Sequence, residues 1–141
     1  MPRATARFAK LTGKAGYFAE VTITIERTTS PSVITTNCAG AGFFSQGYVE
    51  SVPDVGYDDW KKGAVLGARY ALSVTNVANC AVEITEICGF STDTNPSIVA
   101  TACALAVWSA LGVEAPPDAR KLLDTVALTS WERAPDSLPE L

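Results

Sequence analysis

The chain has 141 residues and a net charge of −4, and 48% of its residues are hydrophobic while 18% are charged. This length suits one domain around one core. The composition excludes the disordered class and argues against general, charge-driven binding to nucleic acid. We therefore expect a single domain spanning residues 1–141.

The N-terminal residues lack the apolar core of a secretory signal, and no apolar run is long enough to cross a bilayer. We expect a cytoplasmic protein without a membrane segment. The chain has no histidine and no Cys-x-x-Cys pair, so we expect no metal site and no cofactor. The cysteines are interpreted as buried free thiols: Cys38, Cys80, Cys88 and Cys103.

The N-terminal part of the chain predicts strands. Residues 17–27 alternate apolar and polar side chains, which is typical of a strand with one buried face. Residues 4–11 precede a glycine-containing turn at 12–16, and residues 33–38 predict a short third strand. Residues 1–27 also form the one basic region, with five Lys or Arg against two Glu.

The middle of the chain predicts one helix and two strands. Apolar residues recur at helical steps through residues 45–63, although Pro53 argues against a regular helix there. Residues 68–77 and 81–87 are rich in β-forming residues and predict either two strands or one interrupted strand.

A buried helix is predicted over residues 95–112, where Asn95 and Pro96 form a start signal and Gly112 a stop signal. The segment carries no charge and is apolar nearly all round, so other elements must cover it. A short amphipathic helix is predicted from Pro116 through Leu123, and a last strand over residues 125–131.

Three segments resemble domain IV of elongation factor G. Residues 12–21 (TGKAGYFAEV) resemble the family's TGGxGQYGHV turn. Residues 48–52 (YVESV) resemble its YIPAV helix, and residues 63–67 (GAVLG) resemble the GxLxG sequence that ends this helix. Residues 89–100 (GFSTDTNPSIVA) run in register with its DGSYH loop and the capped helix that follows. The resemblance covers roughly residues 5–131.

The resemblance implies an α+β fold of the ribosomal protein S5 domain 2-like type, with two main helices on one face of a mixed, mainly antiparallel sheet. The family's QYGH sequence corresponds to residues 17–20 (YFAE), and its loop histidine corresponds to Thr92, so neither tip loop keeps the family's chemistry. About nine extra residues lie between Gly67 and Gly89, and no phosphate-binding GxxxxGK[ST] motif occurs. We therefore expect a non-enzymatic, free-standing copy that does not hydrolyse GTP.

The first functional hypothesis is docking to the ribosome or to RNA through the tip loops. Aromatic side chains beside a basic turn would stack on bases while lysines meet phosphates. The alternative is that Tyr17 and Phe18 are ordinary strand residues, half buried against a neighbour. The predicted binding residues are Lys10, Lys14, Tyr17, Phe18, Phe90 and Thr92.

The second hypothesis is a protein-interaction or oligomerising module unrelated to translation. Trp60, Trp108 and Trp131 are more tryptophans than one small core requires, although core filling explains each of them equally well.

The third hypothesis is an enzyme or divalent-cation site. Its candidates are Glu50, Asp54, Asp58 and Asp59, of which the first three would share a helix face. No base, nucleophile or phosphate-binding loop supports them, and a solvated acidic face is the simpler interpretation.

Overall fold

The computed structural model describes residues 2–45 and 48–141 as a five-stranded sheet with three α-helices and a final 3-10 turn. The predicted α+β fold with a mixed, mainly antiparallel sheet is confirmed. The elements in chain order are β1 (Arg3–Leu11), β2 (Gly16–Arg27), β3 (Val33–Thr36), β4 (Glu50–Ser51), α1 (Asp58–Val74), β5 (Cys80–Gly89), α2 (Pro96–Leu111), α3 (Pro117–Leu128) and the 3-10 turn (Ser130–Glu132).

The sheet has the order β1-β2-β5-β3, and β4 pairs with the far end of β5. Among the strand pairs of the described ranges, β3–β5 is parallel and the others are antiparallel. The alternation predicted for residues 17–27 is confirmed, because Ala19, Val21, Ile23 and Ile25 of β2 are buried. Helix α2 packs on β1 and β2, and α1 contacts β3 and β5.

Helix α2 has both predicted ends. The Asn95 side-chain oxygen accepts a hydrogen bond from the backbone N–H of Ile98 at 3.0 Å, and Gly112 adopts a φ of 71° at the C-terminus. The sheet, α1 and α3 cover the helix. None of the helices in the described ranges is long and apolar enough to span a membrane.

Helices α1 and α2 approach each other at two glycines. A Cβ atom at Gly63 or Gly67 would overlap backbone atoms of Pro96 or Ala100, respectively. The indole N–H of Trp108 donates a hydrogen bond to the Ala71 carbonyl at 3.2 Å across the same interface. The two backbones therefore pack in direct contact.

The helix predicted over residues 45–63 is wrong in position. Its described residues before Asp58 are non-helical, and they include strand β4; Gln46 and Gly47 lie outside the described residues. Gly56 and Tyr57 adopt positive φ values of 100° and 57°, so the helix begins only at Asp58. The apolar spacing at residues 48–55 is therefore not helical periodicity.

The strand predicted over residues 68–77 is also wrong, because α1 continues through Val74. The buried residues of α1 follow the helical repeat, and they include Ala64, Ala68, Ala71 and Leu72. The Tyr and Val residues of the same helix favour strands, so the local composition hides this repeat in the sequence. The neighbouring prediction holds, since residues 81–87 lie within β5.

The last strand, predicted over residues 125–131, is wrong as well. The predicted start of the helix near Pro117 is confirmed, but the helix ends at Leu128, and the 3-10 turn follows. Ala119, Leu123 and Ala127 are buried at four-residue steps, so a single helical face extends through the segment. The described residues therefore contain three α-helices, of which α1 and α2 are the longer two.

Candidate functional site

Three connections meet at one end of the sheet. The backbone N–H of Phe18 donates to the Asp93 carbonyl at 2.8 Å, which joins the start of β2 to the loop after β5. A Cβ atom at Gly16 would lie 2.6 Å from an Asp93 carboxylate oxygen, so any other residue at position 16 would displace the Asp93 side chain. The third connection precedes β4. We define the tip surface as the exposed residues of segments 12–15, 43–45, 48–49 and 90–93.

The segment before β4 is fixed at its base. The Gly42 N–H donates to the Ser51 carbonyl at 2.7 Å, and the Gly40 N–H donates to the Val52 carbonyl at 2.9 Å. Beyond this base, Phe43, Phe44 and Tyr48 are 59%, 76% and 61% exposed. The rings of Phe44 and Tyr48 meet edge to face with centroids 5.7 Å apart.

A buried carboxylate joins β4 to the loop after β5. Glu50 is only 3% exposed and accepts hydrogen bonds from the Ser91 backbone N–H at 2.6 Å and from the Ser91 hydroxyl. It also accepts a bond from the Tyr57 hydroxyl at 2.7 Å. Burial and the hydrogen bond to Glu50 raise the pKa of Tyr57 to about 12. The phenol is therefore a stable donor at neutral pH.

A cavity of about 470 Å³ opens between these connections. Its described lining combines three aromatic rings, two carboxylates and three hydroxyl side chains, with no lysine or arginine: Phe43, Ser45, Tyr48, Glu50, Phe90, Ser91, Thr92 and Asp93. A second cavity of about 420 Å³ shares Ser91 and is lined by Tyr57, Trp60, Asp58, Asp59, Asp136 and neighbouring residues. Both cavities are therefore aromatic and acidic.

The structure brings most of the predicted binding residues to this end. Lys10 and Lys14 are exposed on β1 and in the following turn, and Thr92 is exposed on the cavity wall. Phe18 and Phe90 are half buried and pack together, with ring centroids 5.0 Å apart. The expectation that Phe18 is a half-buried strand residue therefore holds.

Tyr17 does not belong to the tip surface. Its side chain is buried, and its hydroxyl donates to the Leu128 carbonyl at 3.1 Å. The predicted role of Tyr17 in stacking on a base is wrong, because the period-2 alternation of β2 turns this residue toward the core.

The predicted acidic helix face does not exist. Glu50 lies on β4 and Asp58 begins α1, while Asp54 lies in the loop between them, where its carbonyl accepts a bond from the Lys61 ammonium at 2.8 Å. No group of three or more metal-binding side chains occurs in the described ranges.

The tryptophans and cysteines mostly belong to the interior. Trp108 is buried, and Trp60 and Trp131 pack against the core while remaining half buried. All four cysteines are buried free thiols, as predicted. Burial and a hydrogen bond to Glu86 raise the pKa of Cys88 to about 11, so this thiol is protonated at neutral pH.

Sequence reasoning missed Phe43, Phe44 and Tyr48, because it placed the last of them on a helix and left the other two unassigned. The available signal was the concentration of aromatic residues directly after the glycines at positions 40 and 42. Such a composition indicates an exposed aromatic loop rather than a core segment.

No protein-family model matches this chain, and no curated protein sequence matches it. Among solved structures, the chain is similar to the crystal structure of ttk003000868 from Thermus thermophilus. The match has a TM-score of 0.57 and 13% sequence identity, and it covers 74% of this chain but 14% of the other chain. At this identity the comparison concerns the fold alone, and the matched region is a small part of the much longer Thermus chain.

Proposed function

We propose that this chain is a non-enzymatic binding domain of the elongation factor G domain IV type, and that its tip surface docks a protein partner. The assignment to this type rests on the three sequence motifs, and the α+β architecture is compatible with it. The choice of partner rests on the chemistry of the tip surface.

The observation that carries the proposal is the exposure of three aromatic side chains on one connection. Phe43, Phe44 and Tyr48 each expose more than half of their surface beyond a hydrogen-bonded base. Burying a fully exposed side chain of this size contributes about 1.5–3 kcal/mol of hydrophobic free energy, before the costs of association are subtracted. Aromatic side chains of this kind are the usual anchors of protein interfaces.

The charge around the two cavities favours a protein partner over a phosphate backbone. The linings contain five carboxylates, from Glu50, Asp58, Asp59, Asp93 and Asp136, and none of the described lining residues is a lysine or arginine. Nucleic-acid affinity depends mainly on cations that neutralise phosphates. A protein segment with apolar and basic side chains complements this surface better.

RNA or ribosome binding is the second candidate, and a specific observation favours it. Lys10 and Lys14 are exposed beside the tip, and neither takes part in the ion pairs found in the described ranges. If this candidate is correct, the double variant Lys10→Glu and Lys14→Glu will abolish co-sedimentation with ribosomes at low salt. If the protein partner is correct, the double variant will leave binding to the partner largely unchanged.

Site-specific photocrosslinking tests the proposal. The photoreactive residue p-benzoylphenylalanine replaces Phe44 on the tip, and in a matched control it replaces Leu122, which is 41% exposed on α3. Both proteins are irradiated in an extract of the organism that encodes the chain, and crosslinked peptides are identified by mass spectrometry.

We expect one defined protein to crosslink at position 44 and not at position 122. The additional substitution Tyr48→Ala should reduce that crosslink, because Tyr48 packs against Phe44. Crosslinks of equal pattern at both positions would contradict the proposal. Crosslinks at position 44 that disappear after ribonuclease treatment would favour the RNA candidate instead.

A further inference from the structure

We propose that the 470 Å³ cavity of the tip surface takes the guanidinium group of an arginine side chain from the protein partner. This inference rests on the proposed function and names the chemistry that the tip surface recognises. Three features of the cavity support it: its aromatic walls, its buried carboxylate and the absence of a lysine or arginine from its described lining.

The aromatic walls suit a planar cation. Phe43 and Tyr48 are largely exposed where they line the cavity, so a ligand can reach their rings. A guanidinium group within about 6 Å of a ring centroid is attracted by the ring quadrupole, and arginine makes such contacts more often than lysine. The cavity volume is within the range of ligand pockets, so the end of an arginine side chain has room to enter.

The carboxylate at the cavity wall is buried and forms no ion pair with any residue that the structure describes. Glu50 is only 3% exposed, and its hydrogen bonds come from the neutral donors Tyr57 and Ser91. Among the described residues, one of its oxygens accepts a bond from Tyr57 alone, and a carboxylate oxygen has a second acceptor position. A buried carboxylate is costly unless a cation pairs with it. A guanidinium in the cavity would supply that charge.

An exposed arginine on β1 makes the two kinds of contact proposed for the partner's arginine. The Arg7 guanidinium carbon lies 5.6 Å from the centroid of the Phe18 ring, while its nitrogens donate to the Glu20 carboxylate at 2.7 and 2.9 Å. The Phe18 ring in turn packs on Phe90, which lines the cavity. An arginine between an aromatic ring and a carboxylate is therefore already part of this end of the fold.

The charge of the cavity argues against a phosphate or a nucleotide backbone as its occupant. Glu50 and Asp93 are the carboxyl side chains of the described lining, and no lysine or arginine there offsets them. An unpaired base would place its own phosphate near these carboxylates. A single-stranded RNA is therefore an outcome to be tested rather than the expected ligand.

The experiment is an NMR titration of the ¹⁵N-labelled chain with N-acetyl-argininamide, with N-acetyl-norleucinamide as the uncharged analogue. We expect saturable shifts of the Ser91, Thr92 and Asp93 amide signals with the arginine derivative only. Equal shifts with both compounds, or none with the arginine derivative, would overturn the inference.

Substitutions in the cavity lining test whether the arginine derivative binds in the cavity. Tyr48→Ala removes one wall and Asp93→Asn removes one charge, and each should weaken binding by about two- to fivefold. Glu26→Gln removes the same charge from an exposed position in β2 and should leave binding unchanged. Equal weakening by Glu26→Gln would show attraction by net charge alone and would overturn the inference.

The outcomes separate this inference from the proposed function. If position 44 crosslinks to a protein partner but the arginine derivative does not bind, the inference fails and the proposed function stands. If single-stranded RNA shifts the same amide signals and the arginine derivative does not, both proposals are overturned in favour of the RNA candidate.

Discussion

Glu50 and Ser91 are 41 positions apart in the chain, yet Glu50 accepts hydrogen bonds from both the backbone N–H and the hydroxyl of Ser91. This contact fixes β4 against the loop that follows β5. Because Glu50 is also bonded to Tyr57, the same carboxylate orients the residue directly before α1. The shape of the tip surface therefore depends on one buried side chain.

Replacing this carboxylate should cost stability. Glu50→Gln substitutes an amide N–H₂ for one acceptor oxygen, so at least one buried donor loses its partner. We expect the free energy of unfolding in urea to fall by about 1–3 kcal/mol. Glu26→Gln, at an exposed position, is the control and should change it by less than about 0.5 kcal/mol. Equal values for both variants would contradict the structural role of Glu50.

The contact between α1 and α2 makes a second prediction. Gly67→Ala should lower the free energy of unfolding by about 1–3 kcal/mol, because the added methyl group meets the Ala100 carbonyl and forces the helices apart. The gain in helix propensity from alanine offsets only part of this loss. Gly13→Ala is the control, since a Cβ there meets nothing within 4 Å. Denaturant unfolding of the two variants gives the comparison.

The start of α2 makes a third prediction. The Asn95 side chain accepts from the Ile98 N–H and donates to the Ser130 hydroxyl at 2.8 Å, so it joins the helix to the 3-10 turn. Asn95→Ala should reduce the melting temperature and the unfolding free energy, the latter by about 1–3 kcal/mol. Asn37→Ala, in an exposed loop, should be nearly neutral. A neutral Asn95→Ala would show that the cap contributes nothing.

The hydrogen bond between Tyr57 and Glu50 makes stability depend on pH at alkaline values. The folded-state pKa of Tyr57, at about 12, lies above the ordinary value near 10, so the folded state holds the phenolic proton more tightly. This contribution to stability is complete below about pH 10 and is lost as the pH rises toward 12. In an ultraviolet titration of tyrosinate formation, the Tyr57→Phe variant should lack one tyrosine that ionises at high pH in the unsubstituted protein. An unchanged titration would contradict the hydrogen bond.

The parts of the fold that sequence predicted correctly are those with an unambiguous local signal. The alternation in β2 and the Asn95, Pro96 and Gly112 signals of α2 depend on neighbouring residues alone. The errors lie where local preference and tertiary packing disagree. In α1 the backbone packs directly on α2, so the buried face consists mainly of alanine and glycine. These small residues give only a weak hydrophobic periodicity in the sequence.

The candidate site was only partly predictable for a related reason. Lys14 and Phe90 belong to connections recognised from the motifs, and the structure places those connections side by side. Glu50 was assigned to an acidic helix face, and its partner Ser91 was not considered. The pairing of β4 with β5 brings these two residues together, and no local sequence pattern encodes that pairing.

Fluorescence anisotropy provides the most direct test of the tip surface as a site for a basic protein segment. A short arginine-rich peptide and a single-stranded RNA, each carrying the same dye, are titrated with the chain at low and at physiological salt. We predict that the peptide binds saturably, that Tyr48→Ala weakens this binding and that Glu26→Gln leaves it unchanged. We also predict no measurable RNA binding at physiological salt. Tight RNA binding without peptide binding, or peptide binding that Tyr48→Ala leaves unchanged, would contradict the account.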